Sequence, residues 1–172
     1  MNVKFLNPFV EAAHEVLQAE THTSMERGPL GLEKEPYKTD DVTVIISLIG
    51  RVEGNVFYSM SEKTAIGLAA RMLGEPLQEL THLAQSGIAE LGNVITGRAS
   101  VKLAEAGYDA TISTPTLLLG RGSTISTLDY ARLVVPLNSE SGALEIHLAL
   151  REGKMRNFKT AEMPSFEQST TP

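Results

Sequence analysis

The sequence contains no cysteine and no tryptophan. The first absence excludes disulfides, thiolate nucleophiles and cysteine metal ligands together. The second, with aromatics at only 5% of the chain, leaves little from which to build a base-stacking surface. Cationic residues are also scarce: 15 Lys and Arg stand against 21 Asp and Glu, for a net charge of −6. Apart from "REGKMRNFK" at 151–159 they are scattered singly, which excludes the dense basic patch that nucleic-acid binding rests on. No apolar run approaches the roughly 20 residues of a membrane span. The N-terminal "MNVKFLNPFVEAAHEV" has neither the apolar segment nor the small-residue cleavage site of a leader. The expectation is a cytoplasmic protein that binds neither nucleic acid nor membrane.

Common catalytic patterns are missing too. His14, His22, His82 and His147 are scattered without an H-x3-H pair, so no metal site is expected. There is no G-x-S-x-G, and the "GRG" at 120–122 reads as a turn between strands rather than a phosphate loop.

What is present is 172 residues with 42% hydrophobic content, enough for one domain with a real core. Asn7-Pro8 suggests a helix start, with Phe9, Ala13, Val16 and Leu17 on one face over about 8–20. Residues 21–28 are polar and irregular, and 29–36 form a weak strand or loop. "DVTVIISLIG" (41–50) and "RVEGNVFYSM" (51–60) read as an antiparallel hairpin. Ser61 caps a helix that Gly74 ends, and a long helix follows over about 79–106, closed by Gly107. Strand-like runs occupy 109–115, 116–126, 130–138 and 142–151, the last two joined as a hairpin by "NSESG". This order implies an α+β fold, an antiparallel sheet with helices on one face, over residues 1–152. Residues 153–172 are polar and aperiodic, the pattern of a mobile tail.

The long helix carries "SGIAELGNVITGRAS" at 86–100, with glycines at 87, 92 and 97. Each helical glycine costs about 1 kcal/mol relative to alanine. Ala84, Ile88, Leu91, Ile95 and Ala99 gather into a core stripe, and Gly92 joins that side. Glu90 and Asn93 project one turn apart from the opposite face, where Ser86, Gly97, Ser100 and Ala104 are all small. Such a low ridge with two polar groups suits a helix that another body approaches closely. Two readings remain open from the residues alone: a functional site, or a packing face against another element or a dimer mate. The first helix repeats the spacing, with Asn7, Glu11 and His14 matching Ser86, Glu90 and Asn93.

These residues resemble the motif of the CheC/CheX/FliY family of response-regulator phosphatases: Ser or Asp, then x3-Glu-x2-Asn, then a later Pro. Ser86, Glu90 and Asn93 occupy its positions, and Pro115 follows Asn93 after 21 intervening residues. "GRVEGNVFYSMSEKTAIGLAARMLG" and "TPTLLLGRG" resemble the family's flanking segments, so the likeness covers about residues 5–150. His14 stands where a second motif would need Asn, and an imidazole cannot reproduce the amide's paired acceptor and donor. The pattern therefore resembles the CheX type, which keeps one motif. The resemblance implies a pseudo-duplicated CheC-like fold, a homodimer joined through the sheet with edge strands of the 116–151 region as donors, and hydrolysis of the aspartyl phosphate on a CheY-like response regulator. It implies that Asn93 positions the attacking water, that Glu90 contacts the receiver's lysine, and that Ser86, Gly97 and Ser100 admit the partner. No cofactor of the chain's own is implied; the Mg²⁺ belongs to the partner receiver. The competing expectation is a non-catalytic module that grips a receiver domain or a flagellar switch protein.

Overall fold

The computed structural model describes residues 3–127 and 130–153. A 3-10 turn, Val3–Phe5, leads into α1 (Leu6–Thr21), followed by the short strands β1 (Glu26–Arg27), β2 (Gly31–Glu33) and β3 (Tyr37–Lys38). The long hairpin β4 (Val42–Gly50) and β5 (Val52–Met60) precedes α2 (Glu62–Leu73) and α3 (His82–Glu105). Then come β6 (Ala110–Ile112), β7 (Thr116–Leu119), β8 (Thr124–Ile125), β9 (Arg132–Ser139) and β10 (Gly142–Glu152). Of the segment expected to be a tail, only Gly153 is described, its N–H donating to the Arg51 carbonyl; 154–172 lie outside the described residues.

Eight strands form one antiparallel sheet in the order β1-β9-β10-β5-β4-β6, with β2 also on β9 and β7 also on β4. Alternation makes one side of the long strands apolar. Val44, Ile46, Val56, Tyr58, Ile146 and Leu148 are buried there beneath the helices. The fold is α+β with its three helices on this one face, as the periodicity implied. α3 packs on β4 and touches both α1 and α2 in the helical layer.

The reverse face is not bare. β3 and β8 pair as a separate ribbon, and Tyr37 from it is buried against Phe57, with ring centroids 5.4 Å apart. The Tyr37 hydroxyl donates to Ser59 Oγ at 2.6 Å. This second small core was not visible in the sequence.

One expected helix start is corrected. Asn7 is not the cap of α1: the helix begins at Leu6 after Phe5, which makes no side-chain cap. Phe5 and Leu6 are both buried, and their burial draws the helix start back from residue 8 to Leu6. Pro8 then sits at the third helical position, where its missing N–H had no intrahelical acceptor to lose. The other caps match. Ser61 Oγ accepts from Thr64 N, and Gly74 ends α2 in the left-handed conformation.

Candidate functional site

Both residues of the candidate pair stand on α3. Thr81 caps it, its hydroxyl accepting from Ala84 N at 3.2 Å, so the helix begins at His82, three residues later than the expected 79. Gly107, at φ +85°, ends it as expected, and Tyr108 N bonds back to the Leu103 carbonyl.

The seating of α3 on the sheet is fixed at Gly92. Val44, Tyr58 and Ile146 lie side by side across β4, β5 and β10. A Cβ at residue 92 would come within 3.0 Å of Val44 Cγ1 and 3.1 Å of Tyr58 Cδ2, so any larger residue would crowd these side chains and glycine gives the close approach its room. The buried Tyr58 hydroxyl shares a 2.7 Å hydrogen bond with Thr96 Oγ1, which donates to the Gly92 carbonyl at 2.8 Å. Burial raises the Tyr58 pKa far above the ordinary phenol value, so the hydroxyl stays protonated. These contacts lock the rotation of the helix and turn Glu90 and Asn93 away from the sheet.

Glu90 is exposed and Asn93 half-buried. Asn93 Nδ2 donates to Glu90 Oε2 at 3.4 Å, a long contact at the limit of a hydrogen bond. Among the described residues neither side chain has another hydrogen-bond partner. Ser86 is exposed, while Gly97 and Ser100 are half-buried, and the Ser100 hydroxyl donates to the Gly97 carbonyl. The five expected residues therefore share one side of one helix. Pro115 lies immediately before β7, and β6 and β7 run beside α3.

The charges nearby are arranged so that α3's own cations leave this face. Lys102 Nζ reaches Glu15 at 2.9 Å and Glu11 at 3.3 Å on α1, and Arg98 meets Glu15 at 3.4 Å. The Lys102 hydrogen bond holds the Glu15 carboxyl below its ordinary value. Glu11, the counterpart of Glu90 on the first helix, is thereby paired with Lys102.

One expectation about the face is corrected. Its neighbours are not all small: Leu83, Val94 and Val101 are exposed on it at 61%, 37% and 56%. The signal was available, since all three fall within about 40° of Glu90 at 100° per residue. Gly87 and Gly97 differ from Gly92, because an added Cβ at either would meet nothing closer than 3.9 Å. Their absence of side chain is not demanded by internal packing. Among the described residues there is no group of side chains able to hold a metal, and no helix long and apolar enough to cross a membrane.

Residues 42–138, more than half of the chain, match the model of the family described as chemotaxis phosphatase CheX. The chain belongs to that family. The CheY-P phosphatase CheX of Thermotoga maritima is 27% identical over 164 residues, covering 89% of this chain and 99% of the relative. A CheC-like superfamily protein from a Shewanella species, solved by crystallography, superposes with a TM-score of 0.79 at 27% identity, over 88% of this chain and 99% of that one. The CheX of the CheX–CheY–BeF3–Mg²⁺ complex from Borrelia burgdorferi superposes with a TM-score of 0.75 at 26% identity, over 88% of this chain and all of that one. The CheX family thus accounts for the sheet and for the long helix that crosses it.

Proposed function

We propose that the chain hydrolyses the aspartyl phosphate of a CheY-like response regulator, and that Asn93 and Glu90 act inside the receiver's phosphorylated pocket. The observation that carries this reading is the pair itself, Glu90 exposed and Asn93 half-buried on one helical face and bonded only to each other among the described residues, in a chain of a phosphatase family. The Borrelia burgdorferi complex of a relative with CheY, BeF3 and Mg²⁺ supports the choice of partner.

An acyl phosphate is already activated, and the receiver supplies Mg²⁺ and a lysine for the phosphoryl oxygens. What it lacks is a water held in line with the departing carboxylate. Asn93 supplies that. Its Nδ2 donates to Glu90 Oε2, and Oδ1, which has no hydrogen-bond partner among the described residues, is the atom we assign to accept a hydrogen bond from the water. The water oxygen attacks phosphorus, the bond to the aspartyl oxygen breaks, and the carboxylate departs with the electron pair. The water's proton leaves with the released phosphate or to solvent.

Glu90 does two things here. It fixes which end of the Asn93 amide faces outward, and it makes a charge-assisted contact with the receiver lysine that sets the depth of insertion. Ser86, Gly97 and Ser100 keep the ridge low enough for the partner's loops. The chain brings no cofactor of its own, and we place the reaction in the cytoplasm.

We further propose a homodimer through the sheet. β9 and β10 are interior strands, flanked on both sides, so within 116–151 the outer edge of β7 is the candidate donor. The test of the main reading is direct. The full-length chain is incubated with phosphorylated receiver domains of the same cell, and phosphate release is followed. Acceleration of at least one receiver is the expected result; no acceleration of any would overturn the reading.

A further inference from the structure

Leu83, Val94 and Val101 are large apolar side chains left exposed on a helix whose other large apolar residues, Ile88, Leu91, Ile95 and Leu103, are buried. Relative to Glu90 they stand seven residues before, four after and eleven after. With Gly87 and Gly97 they continue a row through 83, 87, 90, 94, 97 and 101. That spacing of alternating fours and threes is the seam along which one helix packs against another. Isolated exposed apolar residues need no explanation, but three aligned on one seam and bracketing a polar pair do. The flanks of α3 are taken up by α1, tied through Lys102 and Arg98, and by β6 and β7.

We propose that this seam docks a helix of the receiver domain, and that Leu83, Val94 and Val101 determine which receiver is accepted. The inference rests on the reading under Proposed function. It is continuous with that site, because Glu90 itself lies in the seam and apolar residues stand on both sides of it. A CheY-type receiver has a helix available beside its pocket, since that pocket opens at the carboxyl ends of its strands with helices on either face of the sheet. When Asn93 enters that pocket, α3 must lie across a neighbouring helix. Gly87 and Gly97 then allow close approach at the two points where internal packing does not require glycine. Leu83 and Val101 lie about 10 and 16 Å along the axis from Glu90, too far to touch the reacting phosphate. They act by positioning and selection.

The experiment compares the parent chain with Leu83→Ser/Val101→Ser and with Val94→Ser, using a CheY-type receiver of the same cell. Binding is measured to the receiver activated with BeF3 and Mg²⁺, and phosphate release is measured against receiver concentration. The double variant is expected to weaken binding and to raise KM by about tenfold or more, with kcat changed less than about twofold and the melting temperature unchanged. Leu83→Met should restore most of the affinity. Parental binding and KM in the double variant would overturn the inference while leaving the phosphatase reading intact. If the parent neither binds nor dephosphorylates any receiver, both fall. Conversion of a dimer of the chain alone to monomer by the same substitutions would assign the seam to a second copy and overturn the inference as well.

Discussion

A carboxamide can accept a hydrogen bond from water and carries no charge, so it can enter an anionic pocket that would repel a carboxylate. That property makes Asn93 the residue on which the proposed chemistry depends, and it makes the 3.4 Å contact with Glu90 informative. In the proposed reaction the contact helps select which amide atom is presented. Glu90 is a different kind of residue: its value lies in charge and reach. Glu90→Lys reverses the charge proposed to meet the receiver's lysine, so affinity for the BeF3-activated receiver should fall by about tenfold or more. Calorimetric titration checks it, and unchanged affinity would remove the assigned contact. Glu11 on α1 has the same spacing to its neighbour but is paired with Lys102, and His14 cannot present water as an amide does. On these grounds we propose that this face of α1 is structural.

At the scale of the element, α3 holds glycines with opposite physical reasons. At position 92 an added Cβ crowds Val44 and Tyr58, an overpacking cost of about 1–3 kcal/mol that exceeds the gain of about 1 kcal/mol in helix propensity. At position 97 the propensity gain stands unopposed. Thermal unfolding should therefore separate them: Gly92→Ala lowers the melting temperature by about 2–4 °C and Gly97→Ala raises it by a similar amount. Shifts of the same sign would contradict the seating described for α3. Gly97→Ala should also slow receiver dephosphorylation, because its Cβ stands where the partner approaches.

The elements themselves were legible wherever their signals were local. Ser61 with Thr64 announced α2, the β-branched run of 41–50 announced β4, and the core stripe through Ile88 and Ile95 announced the buried face of α3. Tyr37 pairing with Ile125 was not legible, because a two-residue strand has no period and its partner lies far along the chain. The early start of α1 was hidden for a related reason: burial of Phe5 and Leu6 outweighs the cap residue Asn7, and burial is a property of the whole fold. The candidate pair was legible as residues, since Glu90 and Asn93 had to share a face. Leu83, Val94 and Val101 were legible as a seam only once the uncovered side of the helix was known.

For the molecule as a whole, the helix layer is joined at its surface by carboxylates whose acidity the fold has shifted. Lys102 lowers Glu15 from its ordinary 4.5, and on the reverse face His147, 3.3 Å from the Glu145 carboxylate, lowers Glu145. A carboxyl held below its unfolded value contributes stability above that value and loses it as the pH falls through the folded one. Melting temperature should accordingly decline below about pH 4.5, and Glu15→Gln should flatten part of that decline. A pH profile identical to the parent's would contradict the pairing between α1 and α3.

The central claim is that a finished active site exists only when two proteins meet, one bringing the phosphate and metal, the other an amide on a rigid helix. The most direct measurement is Asn93→Ala, assayed both for phosphate release at saturating phosphorylated receiver and for binding to the BeF3-activated form. The account predicts a loss of turnover of about a hundredfold or more, equivalent to about 2.7 kcal/mol in the barrier, with affinity held within about threefold. Turnover at the parental rate would contradict it.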